Sequence, residues 1–227
     1  MTQLEVVQRD MSLARINADD HFVGLLDSAL GQPRMVWLVL LAVREYHTVA
    51  QLRTGRGYGA PGLRQLINRQ PFDRQAKTQA ERIVRALDGL YSAHDEGQVR
   101  GAVLERLAEQ QIRSRYAGLG AMCENNIKFR VWGSKGDHTT SRSVDVVGWD
   151  GTTGECHDCK VDARKFDAVL VAELERDVTP HGLVVGMVTA DQRPTAERKL
   201  RALNFRRATA TALVTEETLF SVLPLRP

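Results

Sequence analysis

No apolar run in this sequence could cross a bilayer. The longest, Met35 to Val43 (MVWLVLLAV), stops at Arg44 and Glu45, well short of the ~20 apolar residues that a spanning helix requires. The chain opens without the basic stretch, apolar segment and small-residue cleavage site of a secretory leader, so export is not expected. Cysteine is scarce: three residues cannot all pair within one chain, which argues against a disulfide scaffold and for a reduced, cytoplasmic protein. Internal repeats and low-complexity segments are lacking. So is a true phosphate cradle, because GRGYG (Gly55 to Gly59) has neither the Lys-Ser/Thr of a P-loop nor a strand before it. A flexible or DNA-contacting loop is expected there instead.

What remains is an ordinary globular composition, 43% hydrophobic and 26% charged over 227 residues, enough for one large domain or two small ones. The formal charge is only +3, but it is unevenly spread. Between Arg53 and Arg85 there are eight basic residues against two acidic ones, an excess that suits a polyanion. Arg53, Arg56, Arg64 and Arg69 are the candidate nucleic-acid contacts. The plainer alternative is a solvated helix face.

The first 96 residues read as a helical module. Asp19 and Asp20 offer a cap for a helix to about Leu30, a second apolar helix follows from about Arg34 to Tyr46, and Thr48 can cap a short third. Further helices are expected near Leu63 to Asn68 and Arg74 to Ser92, where Ile83, Val84, Leu87, Leu90 and Tyr91 recur at helical spacing. Such an array is compatible with a helix-turn-helix-like unit. HDEGQ (His94 to Gln98) marks a boundary, and residues 97–227 form the second part. There a helix from about Val99 to Tyr116 is followed by NIKFRVW, whose Ile127, Phe129 and Val131 alternate with charged neighbours as in a strand. Next come a turn (GSKGD), two strands (Ser143 to Trp149 and Glu155 to Val161), a helix (Arg164 to Arg176), the strand GLVVGMVT and a helix after Pro194. A short strand near Ala212 to Val214 and a last helix from Glu216 complete the pattern. This order predicts an α/β fold, a mixed central sheet flanked by helices.

The stretch SVDVVGWDGTTGECHDCK (Ser143 to Lys160) carries the chemistry. Cys156, His157 and Cys159 could suggest zinc, but one C-x-x-C with a distant Cys123 is half a signature, and on a strand residues three apart face opposite ways. A redox pair belongs at a helix start, not inside a strand. Asp158 and Lys160, two apart, share a strand face, and the glycine-rich turn allows Asp145 to lie alongside. Two carboxylates and a lysine at a sheet edge suit a hard divalent ion and its bound water. Charged residues on an exposed strand face are the structural alternative, and Glu155 is one register away from Asp158, on the side of His157.

Asp145, a glycine-rich turn and then Asp158-Cys159-Lys160 resemble the D-x(n)-(D/E)-x-K motif of the PD-(D/E)xK, or restriction-endonuclease-like, nuclease superfamily. The order of elements from Val99 to Val214 is similar to that superfamily's core. Val144 stands where the motif most often has proline. The resemblance implies a nuclease fold, with Asp145 and Asp158 as ligands of Mg²⁺ or Mn²⁺, Lys160 as the catalytic lysine, and a helper glutamate on the preceding helix: Glu105, with Glu109 in reserve. It further implies hydrolysis of phosphodiester bonds, in DNA ahead of RNA, as in restriction, repair or defence. The rival expectation is a non-catalytic nucleic-acid-binding or assembly protein that keeps the fold. No membrane partner is expected, and the sequence is compatible with a homo-oligomer.

Overall fold

The computed structural model describes residues 2–29, 32–57, 59–116, 122–203 and, for the backbone alone, 213–214. The chain divides into two compact units, Ser12–Val103 and a second made of Met1–Met11 with Leu104–Pro227.

The second unit begins with a strand where the sequence suggested helix. In β1 (Gln3–Arg9) Leu4 and Val6 are half-buried against the core while Gln3 and Glu5 are exposed, the period of two that a strand imposes.

The helical unit holds α1 (Ala14–Asn17), α2 (Asp20–Ala29), α3 (Pro33–Glu45), α4 (Val49–Thr54), α5 (Leu63–Asn68) and α6 (Arg74–Ala93). Side chains cap α4 at Thr48, as the sequence suggests, and α6 at Asp73, which it did not single out. The Thr48 hydroxyl accepts from the Gln51 amide at 3.2 Å, and Asp73 accepts from Ala76 at 2.8 Å, each satisfying an amide that the first turn leaves open. Most of the MVWLVLLAV run is buried in α3, so the most apolar segment is the core of this unit. The turn between α4 and α5 needs glycine at Gly55, where φ is +96° and a β-carbon would lie 1.9 Å from the Ala60 carbonyl oxygen.

A long helix, α7 (Glu96–Tyr116), leads to β2 (Met122–Gly133), β3 (Gly136–Thr139), β4 (Val144–Trp149), β5 (Gly154–Lys160), α8 (Ala168–Val178), β6 (Leu183–Thr189), α9 (Arg193–Ala202) and β7 (Leu213–Val214). The expected boundary at residues 96/97 falls at the start of α7, whereas the compact units part at Val103/Leu104. The expected GSKGD turn is tighter than supposed and lets Gly136–Thr139 pair with β2. The single helix expected from Arg164 to Arg176 is broken. Ala163–Lys165 makes one tight turn, and Asp167 then caps α8 by accepting from Val169 at 2.9 Å and from Leu170 at 3.2 Å. The helix expected from Glu216 lies outside the described residues.

The fold is α/β. Among the described residues seven strands form one sheet in the order β1-β2-β4-β5-β6-β7, with β3 also paired to β2. The first four strand pairings are antiparallel. Those of β5 with β6 and β6 with β7 are parallel, the first through the crossover helix α8. Ile127, Phe129, Val147, Cys156, Val185 and Met187 build the sheet core with residues of α8 and α9. α7 lies close on β4, since a β-carbon on Gly148 would meet Tyr116 at 2.6 Å and Ile112 at 2.8 Å. No helix among the described residues is long and apolar enough to cross a membrane.

Candidate active site

The site forms where β4 and β5 part. Their regular pairing ends at Val146↔His157, which would leave the Cys159 amide without a partner on that side. Asp145 supplies one: its Oδ2 accepts from the Cys159 amide at 2.7 Å. On its other side β5 stays paired with β6 as far as Lys160↔Thr189, so Asp158 and Lys160 rest on a rigid strand.

Lys160 lies between the two aspartates. Its Nζ donates to Asp158 Oδ1 at 2.5 Å, to Asp145 Oδ2 at 3.3 Å and to its neighbour's carbonyl oxygen, Cys159 O, at 3.2 Å. Asp158 Oδ2 is buried and has no hydrogen-bond partner. Asp158 also lines a cavity of about 30 Å³ with Ser143, His157, Leu170 and Leu174, space on the scale of a single water molecule.

Glu105 reaches the same locale from α7, and Asn126 Nδ2 donates to its Oε2 at 2.7 Å. Asn126 is the one non-glycine residue with positive φ (49°) among the described residues, a conformation that asparagine tolerates better than most. Burial first, then the charge of Asp145, pushes the Glu105 carboxyl up to about 8. Burial pushes Asp145 up to about 6, with Lys160 opposing and Asp158 adding to the rise. Burial alone would weaken the Lys160 ammonium, but the two aspartates outweigh it and hold the proton more firmly than usual. Two aspartates thus share one ammonium, and Asp145 and Glu105 hold protons more tightly than an isolated carboxyl.

The sequence candidates separate clearly. Asp145, Asp158 and Lys160 are brought together, and Glu105 lies near enough to feel their charges. Glu109 is not available: it is buried and accepts from Arg106 at 2.5 Å and from Arg113 and Asn125 at 2.7 Å each. Glu155 sides with His157, whose Nε2 lies 2.8 Å from Glu155 Oε2, and Arg115 donates to the same oxygen at 2.9 Å. Glu155 is held as a carboxylate by His157 and Arg115 against the effect of burial. The supposed exposed strand face is absent, since six of the seven β5 residues are buried. All three cysteines are free and buried, and burial raises the thiols of Cys156 and Cys159 far above their usual range.

Among the described residues no three His, Cys, Asp or Glu side chains are gathered closely enough to hold an ion as they stand. At the aspartates the Lys160 ammonium fills the gap. The donor set still suits a hard cation: carboxylate oxygens, one of them buried and unpartnered, with too little positive charge around them.

The expected nucleic-acid contacts also divide. Arg53 is clamped by Asp88, with Nε to Oδ1 at 2.5 Å and Nη2 to Oδ2 at 2.9 Å, and Arg56 is paired with Glu45. Arg64 and Arg69 are exposed and make no ion pair among the described residues. Sequence reasoning missed Asn126, whose only signal is a polar residue inside an apolar-alternating run. It also missed the cluster just past Lys160, where Lys199 Nζ bonds Asp191 Oδ2 at 2.7 Å and lies 3.0 Å from Asp162.

No family model matches the chain, and no curated protein matches it. Among solved structures, the crystal structure of protein VC1899 from Vibrio cholerae overlays 97% of this chain and 56% of that one, at 12% identity and a TM-score of 0.43. The chain thus spans just over half the length of that protein. A likeness this slight assigns no family.

Proposed function

We propose that the chain is a metal-dependent nuclease that hydrolyses phosphodiester bonds in DNA, in a restriction, repair or defence setting. In the reducing cytoplasm its three cysteines would stay as free thiols. The observation that carries this reading is the meeting of Asp145, Asp158 and Lys160 across two adjacent strands, with the buried, unpartnered Asp158 Oδ2 beside them.

Asp145 and Asp158, helped by Glu105, would hold Mg²⁺ or Mn²⁺. Such an ion supplies an activated water and neutralises charge on phosphoryl oxygens. Lys160 is retained as an ammonium by its two aspartates, so its role is to orient a water and to neutralise developing charge, not to remove a proton. Glu105 would add the helper carboxylate from α7. Asn126 fixes its carboxylate.

A non-catalytic nucleic-acid-binding protein has one observation in its favour, the ammonium that fills the gap between the aspartates. Labelled DNA and RNA substrates incubated with Mg²⁺, Mn²⁺ or EDTA decide between the two. The nuclease reading expects cleavage with either ion, none in EDTA, and none from Lys160→Ala or Asp158→Asn. Cleavage that survives in Lys160→Ala, or a wild type that neither cuts nor melts differently with divalent ions, overturns it.

A further inference from the structure

Helix α6 carries a row of cations that the candidate active site does not use. Arg74, Thr78, Arg82 and Arg85 are all exposed, and their spacing places them along one side of the helix. From Arg74 to Arg85 the row runs about 16 Å at ~1.5 Å per residue. Glu81 is the one carboxylate between them, and Lys77 adds a further positive charge. No ion pair among the described residues engages Arg74, Arg82 or Arg85.

The row ends in a pocket of about 290 Å³ lined by Leu52, Arg53, Arg64, Val84, Arg85 and Asp88. Leu52 and Val84 are buried and give it an apolar floor. Asp88 clamps Arg53, and the Arg53 Nη2 also donates to Ser92 Oγ at 3.2 Å. Three guanidiniums therefore face one carboxylate, leaving two uncompensated positive charges. A second hollow, of about 480 Å³, lies along Arg74, Thr78 and Arg82 on the same helix.

We propose that α6 is a docking track for the phosphodiester backbone of a nucleic-acid strand, with one phosphate seated in the pocket on Arg64 and Arg85 and further phosphates on Arg82 and Arg74. The proposal rests on the reading of this chain as a nucleic-acid protein, and not on cleavage. The elongation of the charge favours a strand over a free nucleotide: a mononucleotide would occupy the pocket and leave the row beside it unused. Arg53 acts as a wall held by Asp88. Arg56, tied to Glu45, lies outside the track.

The test is binding of a labelled single-stranded oligodeoxynucleotide to the full chain in EDTA, followed by anisotropy over a salt series, so that a failure of the nuclease reading leaves it untouched. Each phosphate contact on a single strand contributes about 0.7 to the log–log salt slope. The double variant Arg64→Ala/Arg85→Ala should therefore lower the slope by about 1.4 and weaken binding about 25-fold at roughly 0.1 M salt. Arg74→Ala/Arg82→Ala should do the same. Arg15→Ala/Arg34→Ala removes equal charge from exposed positions elsewhere in the unit and should leave the slope unchanged. All these side chains are exposed, and circular dichroism melts check that each variant folds. An unchanged slope in both track variants overturns the proposal, as does an equal loss in the control. Deoxyadenosine monophosphate binding as tightly as the strand, with dependence on Arg64 and Arg85, overturns it in favour of a free-nucleotide site.

Discussion

Replacing Glu105 by glutamine should make the protein more stable, by an amount that grows as pH rises above about 4. The carboxyl of Glu105 is pushed up to about 8 by burial and by Asp145, whereas an unfolded glutamate ionises near 4.3. Below roughly pH 4 it is protonated in both states. Between the two values the folded chain keeps a proton that the unfolded chain has lost, so stability falls as pH rises through the folded value. A separation of 3 to 4 units corresponds to about 5 kcal/mol as an upper figure, at ~1.36 kcal/mol per unit. Glu105 shares its titration with Asp145, so about 3 kcal/mol is the expected gain for Glu105→Gln at pH 8 in EDTA. The amide oxygen of glutamine can still accept from Asn126, so the hydrogen bond at 2.7 Å is retained. Melting followed by tryptophan fluorescence in a Trp37→Phe background reports on Trp132 and Trp149, both in the sheet-bearing unit. There 3 kcal/mol corresponds to roughly 6–12 °C. The gap should shrink to at most about 1 kcal/mol at pH 5 and should narrow at pH 8 when Mg²⁺ is added, because a bound ion would stabilise the wild-type carboxylate. A gap of the same size at pH 5 and pH 8, or none at either, would falsify the electrostatic account of the site.

Lys160→Ala should abolish cleavage and lower stability by roughly 1–2 kcal/mol, a figure reduced for solvent screening because its side chain is 33% exposed; a urea titration beside the cleavage assay measures both. Gly186→Ala should cost about 1–3 kcal/mol by overpacking, since a β-carbon there would meet His157 Nδ1 at 2.2 Å. A His157→Ala background should remove most of that cost, and a full cost in the double variant would place the conflict elsewhere. Cys156→Ser and Cys159→Ser should each lose about 1–3 kcal/mol by burying a hydroxyl, with cleavage per folded molecule unchanged. Loss of activity in step with loss of bound zinc would contradict that.

The motif and the order of elements around it were legible because alternation in NIKFRVW and the two-residue spacing of Asp158 and Lys160 are local signals that pairing then preserves. Choices that depend on distant partners were not. Periodicity offered Glu105 and Glu109 one turn apart on the same helix. Only the structure reveals that Arg106, Arg113 and Asn125 saturate the second. A local charge count likewise treated Arg53 and Arg64 alike, although Asp88, 35 positions away, neutralises the first. β1 escaped notice because Val7 follows Val6 and blurs the alternation at the point where its register with β2 shifts.

β1 also affects how the chain can be cut. Residues 12–103 are an insertion between the first strand of the sheet and the rest of it. During synthesis β1 must wait for a partner more than a hundred residues later, as in Gln3↔Trp132. Loop closure over such a length adds only logarithmically to the entropic cost, yet it delays the pairing in time. A fragment begun at residue 97, the division that composition suggests, would lack that strand. It would expose the backbone edge of β2 from Ile127 to Trp132, beside a buried run of Ile127, Phe129 and Val131, and an open edge of that kind invites aggregation. The helical insert could be shortened or exchanged between residues 12 and 103 with the sheet still whole, whereas amputation from the N-terminus would damage the half that carries Asp145 and Asp158.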